Sequence, residues 1–337
     1  MPAEQDESST LVIGAGSWGT ALALVLAKNG HIVYLWDNDD QHIQNLIDDS
    51  SNQRYLPGVE LPENIVPVKK FPSADKDIFN IIIVVPCEYL EDVLSKLKTE
   101  CHEHVKLCLA SKGLAPESLK LNHEIVAEIM GPVFVAVLSG PSFAKEVAIG
   151  LPTAVTIAST ELKVSQNFSN LFHSESFRIY THDDMVGVQV GGAVKNVMAI
   201  AAGISDGLGF GANTRAAVIT RGLAEITRLG IAMGGKLETF MGLAGLGDLV
   251  LTCTDDQSRN RRLGLALAKG QNLEQAKSDI GQAIEGARTV YAVKELADKF
   301  QIEMPICEQI YRLINGESEP RQAVQNLLLR DPKQEGY

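Results

Sequence analysis

Lys195 is the only charged residue in the run from Met185 to Ser205, MVGVQVGGAVKNVMAIAAGIS, and Asp184 and Asp206 stand just outside it. Read as a helix, Val186, Val190, Val194, Val197 and Ala201 form one apolar stripe. Lys195 lies off that stripe, beside Gly191, Gly192 and Ala199. No acid on the same helix has the spacing to pair with it. A lone ammonium thus projects from a flank kept bare of side chains, where another backbone or a small molecule can approach closely. The plainer alternative is that the glycines serve helix packing and the lysine snorkels to water. A membrane span is disfavoured, because a lysine at mid-segment costs roughly 2.5–3.5 kcal/mol there.

A second group of residues has the chemistry of an anion site. Ser258, Arg259, Asn260, Arg261 and Arg262 supply a hydroxyl, planar guanidinium forks and an amide, the donors that a phosphate takes. The competing reading is a surface salt-bridge cluster with Asp255 and Asp256. Asp248, set among glycines and apolar residues in MGLAGLGD, is the better candidate for a buried partner of a catalytic lysine. Lys112 and the Gly140-Pro141-Ser142 loop each follow an apolar run with the character of a buried strand.

The elements that must hold these residues fall into two halves. Thr10–Ile13, the turn GAGSWG at Gly14 to Gly19 and the run TALALVLAKNG give strand, glycine turn and helix, the context that a GxGxxG fingerprint requires. Gly14 allows the tight turn, Gly16 lets backbone approach a pyrophosphate, and Gly19 lets helix pack on strand. Gly30 closes the helix, and a second strand, 31–36, ends at Asp37, placed to bind an adenosine ribose. Further strands are expected at 78–85, 105–110, 133–138, 153–158 and 177–180, with helices at 39–50, 89–98, 116–130 and 162–172. The stretch holding Pro57, Pro62, Pro67 and Pro72 reads as loop. After Asp184 only helices are expected: the Lys195 helix, one capped near Asn213 and running to Leu229, then 263–269, 273–280, 289–300, 307–315 and 323–329.

The 337-residue length and 45% hydrophobic content suit two ordinary domains with substantial cores. A net charge of −12 disfavours general binding to nucleic acid or anionic membrane, so an anionic ligand needs a local basic site. The five cysteines, Cys87, Cys101, Cys108, Cys253 and Cys307, are scattered without a CxxC pair, the usage of reduced cytoplasmic thiols and not of a disulfide framework or metal site. The opening MPAEQDESS lacks the basic and apolar regions of a secretory signal.

A dinucleotide fold, an unpaired lysine in a helical second domain and a local anion site point to hydride transfer on a small phosphorylated carbonyl compound. The chain resembles the NAD(P)-dependent glycerol-3-phosphate dehydrogenase family, in its bacterial soluble type. The resemblance spans about residues 10 to 330. It rests on GAGSWGTALA, ASKG, SGPSFAKE, GGAVKNVMAIAAGISDGLGFGANTRAA, GLAGLGDLVLTCTDDQSRNRR and GQAIEG, in that order.

The resemblance implies an α/β Rossmann-like domain over 10–190 and an all-helical substrate domain over 191–330, with a disordered tail at 1–9 and another tail at 331–337. It implies that Lys195 is the catalytic lysine. Lys112, Gly140, Ser142, Asp248, Ser258, Arg259 and Asn260 are then substrate contacts, with Asn196 and Thr252 as further polar residues near the substrate. Ser17, Trp18, Lys112, Ala144, Ala283 and Glu285 fall to the cofactor, and Arg259 approaches it too. They join Gly14, Gly16, Gly19, Asp37 and Asn38. NAD(H) or NADP(H), dihydroxyacetone phosphate and glycerol 3-phosphate are the expected ligands, without metal, nucleic acid or stable membrane insertion. A cytoplasmic setting is expected, with a homodimer as the assembly to test. Many family members carry a basic or histidine residue where Asn38 stands, next to a small residue in place of Asp37, so the sequence does not imply a strong NADP preference. The rival readings are another two-domain hydroxyacid or ketoacid dehydrogenase and a non-catalytic NADH-sensing regulator.

Overall fold

The computed structural model describes residues 9–71, 78–100, 105–115 and 118–331. The expected tails therefore lie outside the described residues except for Ser9 and Asp331, as do Cys101, Pro72 and residues 116 and 117; the helix expected over 116–130 begins only at Asn122. The chain divides into two compact units. One comprises 1–111, 123–138 and 142–185; the other comprises 112–122, 139–141 and 186–337. The division falls at the start of the Lys195 helix, a few residues before the expected 190. The second unit also takes in the segments after two strands, which hold Lys112 and Gly140.

The first unit is built on strands β1 (Ser9–Ile13), β2 (Val33–Trp36), β3 (Ile65–Val68), β4 (Ile78–Ile83), β5 (Lys106–Leu109), β6 (Phe134–Ser139), β7 (Thr153–Ala158) and β8 (Phe177–His182). They form one sheet in the order β3-β2-β1-β4-β5-β6-β7-β8. The β3–β2, β2–β1, β1–β4, β4–β5, β5–β6 and β7–β8 pairings are parallel. The chain order reverses between β1 and β4, so the glycine turn after β1 sits at the switch point where α/β sheets bind ligands. Helices α1 (Ser17–Lys28), α2 (Asp40–Asp49), α3 (Leu90–Glu100), α4 (Asn122–Met130), α5 (Ala144–Ala148) and α6 (Leu162–Phe172) alternate with the strands. The apolar sides of α1, α2, α5 and α6 and one face of the sheet form a core around Val12, Leu22, Leu26, Ile82, Leu138 and Phe168.

β3 corrects the loop expected from the prolines. Pro67 pairs in register with Leu35, on the edge strand of the sheet. An edge strand tolerates a residue without an N–H donor. α5 is also additional to the expected elements, and at five residues it is too short to show a helical period.

The second unit is helical: α7 (Met185–Gly207), α8 (Ala212–Ala232), α9 (Leu237–Met241), α10 (Asp248–Thr254), α11 (Arg259–Ala268), α12 (Leu273–Ile280), α13 (Gly286–Phe300), α14 (Pro305–Ile314) and α15 (Pro320–Leu328). A π-helical turn, Leu243–Gly247, leads into α10. α7 is the axis of this unit. Every residue from Gly187 to Ser205 is buried, so the expected single apolar stripe is in fact a helix covered on all sides. α7 has the length and composition of a membrane span, but it is packed inside its own unit. α8 starts at Ala212, one residue before the expected Asn213; its N-cap is Gly211, so no side chain caps it.

Candidate active site

Lys195 is 5% exposed, which removes the snorkelling alternative. Its ammonium donates to Asp248 Oδ1 and, at 2.9 Å, to Thr252 Oγ1. Asp248 opens α10 and is fully buried. Thr252, one turn further along α10, donates its own hydroxyl proton to the Asp248 carbonyl at 2.6 Å. That bond leaves the Thr252 oxygen lone pairs facing the lysine. Lys112 Nζ donates to the second Asp248 oxygen at 3.0 Å and to the Gly140 carbonyl at 2.9 Å. One carboxylate thus carries two ammonium groups in a buried site. Burial holds the Lys195 pKa down to about 7; Asp248 works against that shift and Lys112 adds to it.

The bare flank of α7 is taken by backbone and side-chain neighbours. A Cβ on Gly191 would stand 2.6 Å from the Ala244 carbonyl oxygen, and one on Gly192 would stand 2.6 Å from Ser139 Oγ. These glycines let the π-helical turn and the Ser139–Pro141 segment close on the lysine helix. They serve packing, as the plainer alternative held. The lysine beside them does not.

Ser258 is the N-cap of α11 and accepts from Arg261 N at 3.2 Å. Arg259 follows, with Nη1 donating to Gln282 Oε1 at 3.4 Å. Burial lowers its pKa and Glu285 opposes that. Asn260 Nδ2 donates to Asn196 Oδ1 at 2.9 Å, and its Oδ1 accepts from Gly286 N at 2.9 Å. These bonds join α11 to the residue next to Lys195 and to the start of α13, where Glu285 stands and Ala283 lies just upstream. Arg261 is not a ligand donor as its sequence neighbours suggested. It is 7% exposed, and its guanidinium is held by Asp206 and Asp256. Asp256 therefore pairs as the salt-bridge reading held, whereas Asp255 accepts from Gln257 N. Arg262 is exposed.

In the first unit, Gly14 has φ +106°, and its N–H donates to the Trp36 carbonyl at 2.8 Å. A Cβ on Gly19 would lie 1.8 Å from the Gly14 carbonyl oxygen, whereas one on Gly16 would meet nothing within 4 Å. The third glycine therefore lets α1 close on its own turn, and the second leaves open space. No side chain caps α1 and no acid stands in its first turn. An open cradle at a helix N-terminus fits a pyrophosphate. Asp37 accepts from Ala15 N at 2.8 Å and from Asp39 N at 3.2 Å, so it braces the glycine turn and still has lone pairs for a ribose hydroxyl. Asn38 is exposed. Ser17 donates to the Tyr55 carbonyl at 2.6 Å. Trp18 and Ala144 are partly buried against the sheet core. Ser142 lies in the first unit, apart in the chain division from its neighbour Gly140.

The partnership of Asp206 with Arg261 was not foreseen. The signal was weak but present: Asp206 stands in the last turn of the same helix that carries Lys195, eleven residues on.

A Rossmann-type sheet with a glycine cradle, followed by a helical unit that buries a lysine on a carboxylate, defines a two-unit dinucleotide-dependent dehydrogenase. The family model described as NAD-dependent glycerol-3-phosphate dehydrogenase N-terminus matches residues 9–165, and that described as its C-terminus matches residues 184–325. The chain is 51% identical to glycerol-3-phosphate dehydrogenase [NAD(P)+] of Nitrosococcus oceani, over 98% of this chain and 97% of that protein. It is likewise 51% identical to the enzyme of that name from Bartonella henselae, over 98% and 97%. The crystal structure of glycerol-3-phosphate dehydrogenase from Coxiella burnetii superposes with a TM-score of 0.93 at 47% identity, covering 96% of this chain and 99% of that one. The chain belongs to the NAD-dependent glycerol-3-phosphate dehydrogenase family.

Proposed function

We propose that this protein catalyses the reversible reduction of dihydroxyacetone phosphate to glycerol 3-phosphate with NAD(H) or NADP(H), and so supplies the glycerol phosphate backbone of phospholipids. The observation that carries the reading is Lys195, buried on Asp248 with its pKa lowered to about 7, where it can give and take a proton near neutrality. The Gly14–Gly19 cradle and Asp37 hold the dinucleotide, with Ser17, Trp18, Asn38, Lys112, Ala144, Arg259, Ala283 and Glu285 as its further contacts. When bound, the cofactor supplies the hydride for the carbonyl carbon.

The chain's own residues do the rest. Lys195 gives its proton to the carbonyl oxygen as negative charge builds there, and takes it back in the oxidative direction. Asp248 and Thr252 fix the direction of the ammonium. Lys112 brings a second positive charge to the same carboxylate, which suits an anionic substrate. Arg259, the free proton of the Ser258 hydroxyl and the second amide proton of Asn260 take the phosphate at the N-terminus of α11. Gly140, Ser142 and Asn196 line the substrate. Anchoring the phosphate fixes the reacting carbon by remote binding energy.

The working enzyme is a cytoplasmic homodimer on this reading. Its second unit carries an apolar groove beside the exposed Leu328 and Leu329, apolar surface that an interface between two copies would cover. The test is nicotinamide absorbance with dihydroxyacetone phosphate present. Both NADH and NADPH should be oxidised, NADH at least as well, because Asp37 repels a 2′-phosphate. No turnover with either cofactor would overturn the reading.

A further inference from the structure

Three elements carry the residues assigned to chemistry and to phosphate: α7 with Lys195 and Asn196, α10 with Asp248 and Thr252, and α11 with Ser258, Arg259 and Asn260. One buried guanidinium, carried on α11 itself, reaches the other two. Arg261 Nη1 donates to Asp206 Oδ2 at 2.5 Å, at the last turn of α7, and to the Cys253 carbonyl at 3.3 Å, next to Thr252 on α10. Its Nε donates to Asp256 Oδ1 at 2.9 Å, in the link that leads to α11. Asp206 also takes a 2.8 Å bond from Arg215 on α8. The backbone closes the same joint. A Cβ on Gly203 would stand 2.1 Å from the Arg261 carbonyl oxygen, and one on Gly264 would stand 2.1 Å from that of Ile200. α7 and α11 therefore cross in direct backbone contact between the Asn196–Asn260 bond at one end and the Asp206–Arg261 pair at the other.

We infer that Arg261, with Asp206 as its counter-ion, is a positioning residue that sets the spacing between the phosphate anchor and the proton donor without touching substrate. The inference rests on the proposed assignment of phosphate to the Ser258–Arg259–Asn260 segment. Its physical basis is geometry. A planar fork satisfies three acceptors at once, on α7, on α10 and in the link between α10 and α11, whereas an ammonium, though it carries the same charge, is too compact to span them. A reacting group displaced by about 1 Å can cost as much as 10²-fold in rate, so a small slip at this joint reaches the chemistry.

Arg261→Lys keeps the charge and its pairing with Asp206 but loses the span. It should lower kcat with dihydroxyacetone phosphate by about tenfold or more and leave KM within about threefold, because Arg259 still binds the phosphate. Unphosphorylated dihydroxyacetone does not use the anchor, so its kcat/KM should fall by less than about threefold. If Arg261→Lys does not fold, the pair Arg261→Met and Asp206→Asn, which removes both charges of the ion pair together, carries the same expectation. A melting temperature lowered with wild-type kinetics on both substrates would make Arg261 a stability residue and overturn the inference. Equal losses on both substrates would also overturn it. A wild-type enzyme that turns over dihydroxyacetone but not its phosphate would sink the functional reading itself, a result distinct from either of those.

Discussion

Lys195 is subject to opposed electrostatic demands. Burial favours the neutral amine, the Asp248 carboxylate favours the ammonium, and Lys112 tips the balance back. The result is a pKa of about 7. Reduction needs the protonated form and oxidation the neutral one. Thus kcat/KM for dihydroxyacetone phosphate reduction should fall as pH rises through about 7, and kcat/KM for glycerol 3-phosphate oxidation should rise through the same region. Asp248→Asn removes the group that holds the pKa up, so the midpoint of both profiles should move to lower pH. Profiles measured on the two proteins that share one midpoint would show that Lys195 is not the titrating group. The same shift has a stability consequence. Because the folded-state pKa is lowered, the unfolded chain binds more protons between about 7 and the ordinary lysine range, and stability gained from this residue rises with pH across that window.

The helices place these groups in part through close backbone crossings. Gly264 on α11 lies against the Ile200 carbonyl of α7, and backbone cannot move aside as a flexible side chain can. Gly264→Ala should therefore destabilise the fold by about 1–3 kcal/mol, the cost of overpacking a well-filled contact, as read from denaturant melts. A wild-type midpoint for that variant would contradict the crossing. Much of this architecture is legible in the sequence. The strands buried on both faces, the GAGSWG turn and the uncharged run around Lys195 each stand out by composition. β3 was hidden because Pro67 signals a loop unless it is known to lie at a sheet edge. α5, α9 and α10, of five to seven residues, are too short for a period to show. Asp248 could be singled out by its apolar setting. The part played by Arg261 could not, because spacing alone does not say which of three arginines turns inward. Residues 259 and 261 point about 200° apart on a helix, so one can face a ligand while the other ties the helix to its neighbours.

At the scale of the whole molecule, a net charge of −12 coexists with a local set of cations at Lys112, Lys195 and Arg259. That contrast suits an enzyme that remains soluble while binding a phosphorylated anion. The second unit also leaves apolar surface uncovered. A groove of about 1110 Å³ is lined by Ile204, Val218, Ile306 and Leu327 among others, and Leu328 and Leu329 beside it are 75% and 81% exposed. Sedimentation should give a dimer for the wild type and a monomer for the Leu328→Glu, Leu329→Glu double variant with unchanged helical content. A monomeric wild type would remove the two-fold interface. The central claim is that a buried lysine on the helical unit moves the proton, and one measurement bears on it most directly. Lys195→Met keeps the length and apolar stem of the side chain and removes the ammonium. Its steady-state kcat for dihydroxyacetone phosphate, measured beside the wild type with folding checked by circular dichroism, should be lower by roughly 10²–10⁴ while NADH binding is nearly unchanged. A folded Lys195→Met enzyme turning over at the wild-type rate would contradict the account.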